Sequence, residues 1–575
     1  MPPDSEKKLA CLVCRHRKVA CDRGRPQCGL CRKNGFDCQY KAGEHRPGLR
    51  AGYVSQLEKR VEELERQMEG VLGRLSQSQP SQPPDETDEP DEIHAAPSTS
   101  QPNPQLYPQN AGSTSSPLNT AMDSATLAYE LQLVWLQKYQ PWFPIMHHTS
   151  VSGAFAEAEN APGLLQKAIM AVAIWDIPAI PWERKQFLSE SLRQEVILNA
   201  MGSLHLYTVQ ALLTLSILFW GEGKWIQYSN LAAMCKRLSQ QLGLPTVASV
   251  ATVQPSKMCP LDAVLSDTKI DQEERLRAFW MIEMLDSIFA LGLPSYPPTT
   301  AAPLSATLPC SDTAWALQDH FGECVPFHDL QYSSGFSMCI SLCTVELAPV
   351  HQFQQSVIQT GDMAGGPEWQ SAAQRLDERL TIWREEFVAA VFRLINAESP
   401  HDARAEMKPY IVLTNCVLNM AVITLLQSQT TLPEGVGQEM EPWPYANHRC
   451  MYACENMAAK IRRMEEAELE SCSPCLVLPI FAAARFYIVH TKCLHADVSV
   501  NLHSLAYSLH ICSRRWPLAK MFESVIRTAV AEHRTPVLQS ALPIEFYDLR
   551  YAVVEICHLL QRWVDSYSSP DLRNI

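Results

Sequence analysis

Hydrophobic positions along the chain change their period from one stretch to the next. In residues 54–75, apolar side chains fall at Val54, Leu57, Val61, Leu64, Met68, Val71 and Leu75. The steps alternate three and four, which is the spacing of a heptad seam. Val54, Val61, Met68 and Leu75 take the a positions, and Leu57, Leu64 and Val71 the d positions. β-branched Val at a with Leu at d favours two parallel strands. Arg60 at g would face Glu65 at the following e across a homodimer. The expectation is a short parallel coiled coil that dimerises the chain; the alternative is one amphipathic helix packed on the rest of the molecule. Residues 76–120 then lose periodicity. They are rich in Ser, Gln, Pro and Thr, and include the acidic run 85–92. With so few large apolar residues, burial cannot offset the entropy of ordering, and a disordered linker is expected.

From residue 121 the period is helical. Leu127, Leu131, Val134 and Trp135 share one helix face, and Pro141 should end that helix. Leu231, Met234, Cys235, Leu238 and Leu242 repeat the pattern, with Gly243 placed as a left-handed cap and Pro245 just beyond. The alternation typical of strands is scarce. Residues 121–575, 455 in all, are enough for a large all-α domain. The apolar run from Ile411 to Leu426 contains Thr414, Asn415, Asn419 and Thr424. It is too short and too polar for a membrane span, so it reads as a buried helix, and no membrane partner is expected.

Cysteine spacing changes the picture at the amino end. Cys11, Cys14, Cys21, Cys28, Cys31 and Cys38 write the unit Cys-x2-Cys-x6-Cys twice. Three thiolates fall one short of a tetrahedral zinc site, so two units suffice only by sharing. Cys11 and Cys28 hold the first place in each unit and are the symmetric choice for bridging two zinc ions, with sulfurs about 2.3 Å from the metal. Three disulfides are the competing arrangement. Met1–Lys8 is polar and lacks the apolar core of a secretory leader, so a reducing compartment and metal binding are expected.

Charge is divided in the same way. Residues 1–50 carry twelve Lys/Arg against five Asp/Glu (+7). The remaining residues carry 36 against 57 (−21), which makes up the chain's net −14. A basic head on an acidic body suits a nucleic-acid contact confined to the head.

Basic residues fill the gaps between the cysteines, through Cys14-Arg15-His16-Arg17-Lys18-Val19-Ala20-Cys21-Asp22 and Arg25-Pro26-Gln27-Cys28. Here the chain resembles the fungal Zn2Cys6 (binuclear zinc cluster) transcription factors. The resemblance implies a two-helix module that reads CGG-type half-sites in double-stranded DNA. It implies that Lys18 contacts guanine edges, with help from Arg15 and Arg17, and that the protein is a nuclear regulator and not an enzyme. A basic side chain pairs well with guanine O6 and N7. Ala20 departs from a position that is often basic in the family. Three later stretches resemble the family's helical regulatory domain: Tyr139 through His147, Ala232 through Pro245, and Glu274 through Asp286, where Ser287 replaces a usual Arg. The segment from Ser473-Pro474 to His490 is similar to a later family segment. By this resemblance the helical domain receives a signal from a small-molecule effector or a coregulator. Regulators of this type often govern metabolic or secondary-metabolite gene clusters.

The architecture expected is therefore mainly α: a zinc-cluster module over residues 1–46, a linker and coiled-coil helix over 47–75, a disordered linker over 76–120 and an all-α regulatory domain over 121–575. The runner-up is a helical ligand-binding or enzymatic protein that uses its zinc module for targeting or assembly. Nothing names a catalytic residue: GxSxG, HExxH, Walker and GxGxxG patterns are absent. Cys472-Ser473-Pro474-Cys475 has redox-pair spacing, but without a strand-helix context it reads as core cysteines. His147-His148 lacks a third ligand at useful spacing.

Overall fold

The structure is a computed structural model. It describes most residues between 13 and 38, and residues 124–156, 163–244, 268–296, 307–317, 325–326, 334–360, 366–398, 407–436 and 442–568. The predicted coiled coil, the acidic linker and Pro245 lie outside the described residues. The chain divides into two compact units, Met1–Ala111 and Gly112–Ile575.

The larger unit is helical, with one two-residue antiparallel strand pair among the described residues, Thr307–Leu308 with Val325–Pro326. Local signals set many helix ends. The Thr268 side chain caps the Lys269–Gly292 helix by accepting from Asp271 N, and Ser334 caps Gly335–Ser341 in the same way. Proline opens the Pro409–Leu426, Pro444–Ile461 and Pro517–Ala531 helices, where its missing N–H costs nothing. Gly243 ends the Trp225–Gln241 helix with φ 67°, the left-handed cap its position predicts. The Ser124–Val134 helix closes on a wider π turn, Trp135–Tyr139, across which Trp135 stacks on Tyr139 at 5.2 Å before Pro141.

Three helices form the middle of the core. Leu206–Gly221 is buried along its whole length except Tyr207. The Pro409–Gln429 and Pro474–Cys493 segments are long and apolar enough to cross a membrane by composition, yet 83% and 94% of their apolar windows lie inside the protein. Helices of this kind are hydrophobic all round because neighbours cover every face. Pro409–Leu426 is thus the buried helix expected from the Ile411–Leu426 run. Its polar residues are answered by partners. Asn415 and Asn419 both donate to Asn456 Oδ1, at 3.2 and 3.0 Å, and Arg384 donates to Asn419 Oδ1 at 2.8 Å. Thr414 and Thr424 donate to the carbonyls one turn back. A buried polar group hydrogen-bonded in this way avoids the desolvation penalty that an unpaired one would carry.

One apolar cluster runs from Leu127 to Leu560, so the last third of the chain belongs to the same core as the first. Phe481 stacks on Phe522 with ring centroids 3.8 Å apart. Gly221 lies against Trp516, whose ring would collide with any added Cβ, so the crossing requires glycine. Arg485 is fully buried and donates to the carbonyls of Phe546, Tyr551, Glu545 and Asp548, which ties the 545–551 turn to the central helix. Burial pulls its guanidinium down to about 10.

The cysteines of this unit behave as apolar side chains. Among the described ones all but Cys310 and Cys493 are buried. Cys475 is pushed up to about 12 by burial. The Cys472 sulfur lies 3.6 Å from that of Cys512. The core reading of Cys472 and Cys475 stands.

The three motif stretches of the regulatory domain meet in space. His147 N donates to Glu274 Oε1 at 2.7 Å, and Gln210 Nε2 bridges Ile145 O and Glu274 Oε2. Arg277 pairs with Glu273 at 2.8 Å and reaches Cys310 O, with its guanidinium over Trp315. Lys236 pairs with Asp286 at 2.7 Å. Burial pulls Lys236 down, and the charges of Glu283 and Asp286 more than reverse it. Ser287 spends its hydroxyl on Glu283 O, so the cation that meets Asp286 comes from the Ala232–Pro245 stretch. His147 is held by Thr149 Oγ1 and Trp315 O, a structural role with no metal partner among the described residues.

Candidate metal centre and nucleic-acid interface

The repeat written in the cysteine spacing is also written in the backbone. Its two halves are offset by 17 residues. In the first, Arg17 N donates to Val13 O and Val19 N to Cys14 O, both at 3.0 Å; in the second, Asn34 N donates to Leu30 O at 3.2 Å and Phe36 N to Cys31 O at 3.0 Å. Equivalent residues thus make equivalent turns. Each closes a short turn that starts at the second cysteine of its unit or at the residue before it.

Cys28 occupies the middle of this arrangement. It caps the Gly29–Lys33 helix, with its sulfur accepting from Cys31 N at 3.4 Å. Its own N–H donates to Cys38 Sγ at 3.3 Å. Its sulfur lies 3.7 Å from that of Cys14. The Cys14, Cys28 and Cys31 sulfurs all lie within 4.8 Å of one another, and Cys21 and Cys28 sulfurs fall within the same limit with an Asp22 carboxylate oxygen. Four sulfurs about 2.3 Å from one zinc ion stand about 3.8 Å apart along each tetrahedral edge. The donor set and its spacing therefore fit zinc. Cys14, Cys28 and Cys31 are fully buried, with Val13, Leu30 and Phe36 packed against them. Such a core is too small to hold a fold without metal. Cys11 lies outside the described residues, so the other bridging partner expected from the spacing is not seen.

Two residues without a role in the cysteine pattern complete the site. The Asp22 carboxylate accepts from Gly29 N at 2.9 and 3.0 Å and from Gly24 N, joining the first unit to the start of the second unit's helix. A Cβ at Gly29 would stand 2.5 Å from Asp22 Oδ2, so a larger residue there would push the carboxylate off its bonds to Gly29 N. Asp22 and Gly29 each directly follow a cysteine, an adjacency that could have marked them in the sequence. Phe36 is the second case of packing unseen in the spacing: the Arg17 guanidinium lies 4.2 Å from its ring centroid. This cation–π contact anchors one end of the side chain's surface while Arg17 stays exposed. Arg32 and Lys33 are also exposed, in the last turn of the Gly29–Lys33 helix. Arg15 and Lys18 lie outside the described residues.

Comparison with known proteins agrees with this geometry. Residues 9–46 match the fungal Zn(2)-Cys(6) binuclear cluster domain, and residues 133–385 match the fungal specific transcription factor domain. The chain is 77% identical, over all of its own length and all of the relative's, to the notoamide biosynthesis cluster transcriptional coactivator notQ' of Aspergillus versicolor. It is 26% identical to the citrinin biosynthesis transcriptional activator mrl3 of Monascus ruber, over 65% of this chain and 78% of that one. It is 45% identical to the transcription factor tazR of Aspergillus terreus over 62 residues, 11% of this chain and 10% of that one. No solved structure matches the chain. The protein belongs to the fungal Zn2Cys6 transcription factors. Its amino-terminal cysteines bind two zinc ions, and its function is DNA-binding transcription regulation, not enzymatic catalysis.

Proposed function

We propose that this protein is a nuclear regulator that activates a fungal secondary-metabolite gene cluster comparable to that of its 77% identical relative. The observation that carries the DNA-reading part is the sulfur cage around Cys28, bordered by exposed basic residues. In this reading Cys11 and Cys28 are shared between the two metals, Cys14 and Cys21 complete one site, and Cys31 and Cys38 complete the other. The bound zinc supplies charge and rigidity; the chain's own residues do the reading. Lys18 meets guanine edges of a CGG-type half-site, while Arg15 and Arg17 neutralise phosphates beside it. The closeness of the Cys14 and Cys28 sulfurs and the Cys28 N–H bond to Cys38 support a shared Cys28.

The seam of Val54, Leu57, Val61, Leu64, Met68, Val71 and Leu75 pairs two chains in parallel, so two half-sites are read together. The fifteen residues 39–53 set their separation, with a reach of at most about 50 Å. The helical body receives an effector or coregulator. Titrating the full chain with a CGG-containing and a scrambled duplex between 50 and 200 mM salt tests the reading. The cognate duplex should bind more tightly, and log K should fall steeply with log salt. Equal affinity for both duplexes would remove the sequence-reading function. Sedimentation of Leu64→Lys should give monomers where the parent gives dimers; an unchanged dimer would place self-association elsewhere.

A further inference from the structure

We propose that the helical body binds a small, uncharged, ring-sized ligand with a hydrogen-bond acceptor in a cavity beside Trp142. This rests on the reading of the body as the effector-receiving part of the molecule and gives that effector a place and a chemistry. The cavity has a volume of about 130 Å³. Three segments distant in sequence build it: the turn at 137–142, the start of the Pro409–Leu426 helix, and residues 464–476. An engineered apolar cavity of about 150 Å³ in another protein admits benzene, which sets the scale of what fits.

The polar groups around the cavity are largely committed elsewhere. Tyr410 donates its hydroxyl to Trp142 O at 2.8 Å. Ser471 donates to Ala467 O, and Ser473 accepts from Cys475 N. The two charged residues at the wall are of opposite sign and both occupied: Lys138 pairs with Asp176 at 2.7 Å, and Glu468 accepts from Glu465 N at 2.8 Å. Lys138 is matched by Asp176 while Glu468 keeps its negative charge, so an anion is disfavoured and the mostly apolar wall favours a neutral ligand. The indole N–H of Trp142 is buried without a hydrogen-bond partner. A buried donor left unpaired is costly, and an entering acceptor would recover that cost. Most of the rest of the wall is apolar, including Leu413 and Leu476, with the exposed Gln137 amide beside it. Met407 and Met464 also line it, and their unbranched thioethers can move to fit different ring outlines. A flat, neutral molecule with one carbonyl satisfies both the apolar wall and the unpaired indole donor.

Acetophenone is a suitable probe, with ethylbenzene as its match lacking the acceptor. Saturation-transfer NMR and calorimetry on the full-length, zinc-loaded protein should show acetophenone binding one per chain, and more tightly than ethylbenzene. Trp142→Phe should weaken acetophenone at least fivefold and leave ethylbenzene unchanged. Met464→Trp, at the half-buried rim, should plug the cavity and abolish both. Circular dichroism and duplex binding of each variant report whether it is folded, and if Trp142→Phe is not, the Met464→Trp arm decides. Acetophenone binding that survives Met464→Trp would overturn the cavity while leaving an effector site elsewhere on the body. Absence of any saturation transfer at 10 mM probe, with duplex binding intact, would overturn the cavity as a ligand site.

Discussion

The two units of this molecule solve the problem of a stable interior by opposite means. Among the described residues of the head, the fully buried ones are Cys14, Cys28 and Cys31, and the partly buried Val13, Leu30 and Phe36 pack against them. In the body, one apolar cluster reaches from Leu127 to Leu560, and whole helices vanish into it. The head spends its few residues on a metal cage because an apolar core of that size cannot offset chain entropy. This leaves its surface free for basic side chains. The body can bury so much apolar area that it absorbs polar residues such as Asn419 and Arg485 by pairing them internally. A small recognition module thus gains rigidity without bulk, and the large unit gains an interior in which cavities can be shaped.

Removing the metal should separate the two units most sharply. Chelation should abolish duplex binding, since structural zinc contributes on the order of 10 kcal/mol in isolated zinc-finger peptides. The helical circular dichroism and melting of the body should not change. Cys28→Ala should have the same effect, because that sulfur neighbours those of Cys14, Cys21 and Cys31. A body that melts with the head would break the comparison. The converse lesion is Phe481→Ala, which removes a stacked ring from the body's interior. It should cost about 3–5 kcal/mol of body stability in denaturant titration, with two zinc ions retained. Loss of metal in that variant would show that the units share their stability. Lys18→Ala should weaken cognate binding by about 1–3 kcal/mol while leaving both units folded. An unchanged preference for the cognate duplex would take Lys18 out of base reading.

The smallest effect expected is on pH. Burial holds His147, His351 and His490 below the ordinary histidine value. The folded body therefore resists protonation that the unfolded chain accepts. Its stability from these groups is whole above about pH 6.5 and is lost as pH falls from there toward their folded values. Melting at pH 7.5 and 5.5 should show a lower Tm at the acid pH, and His351→Leu should reduce the difference. Equal Tm values at both pH values would mean the three imidazoles are not held neutral.

Much of this was written locally. Cysteine spacing named the metal, because a tetrahedral thiolate site demands particular ligands at particular separations whatever surrounds them, and the basic residues between the cysteines carried the resemblance that implied the class. Helical period marked the Ser124–Val134 and Trp225–Gln241 helices, and an apolar run interrupted by Thr and Asn marked Pro409–Leu426 as a core helix. Gly243 announced its own left-handed turn. These features depend on residues within a few turns of one another, where backbone geometry and side-chain chemistry suffice.

What depends on distant partners became visible only in three dimensions. That Lys236 supplies the cation for Asp286, that Cys472 meets Cys512, and that Trp142 borders a cavity with Tyr410 and Leu476 all join segments far apart in the chain. Composition and period say that such residues are buried; they cannot say against what, because helices of similar apolar character pack in many arrangements and only close packing of all of them selects one.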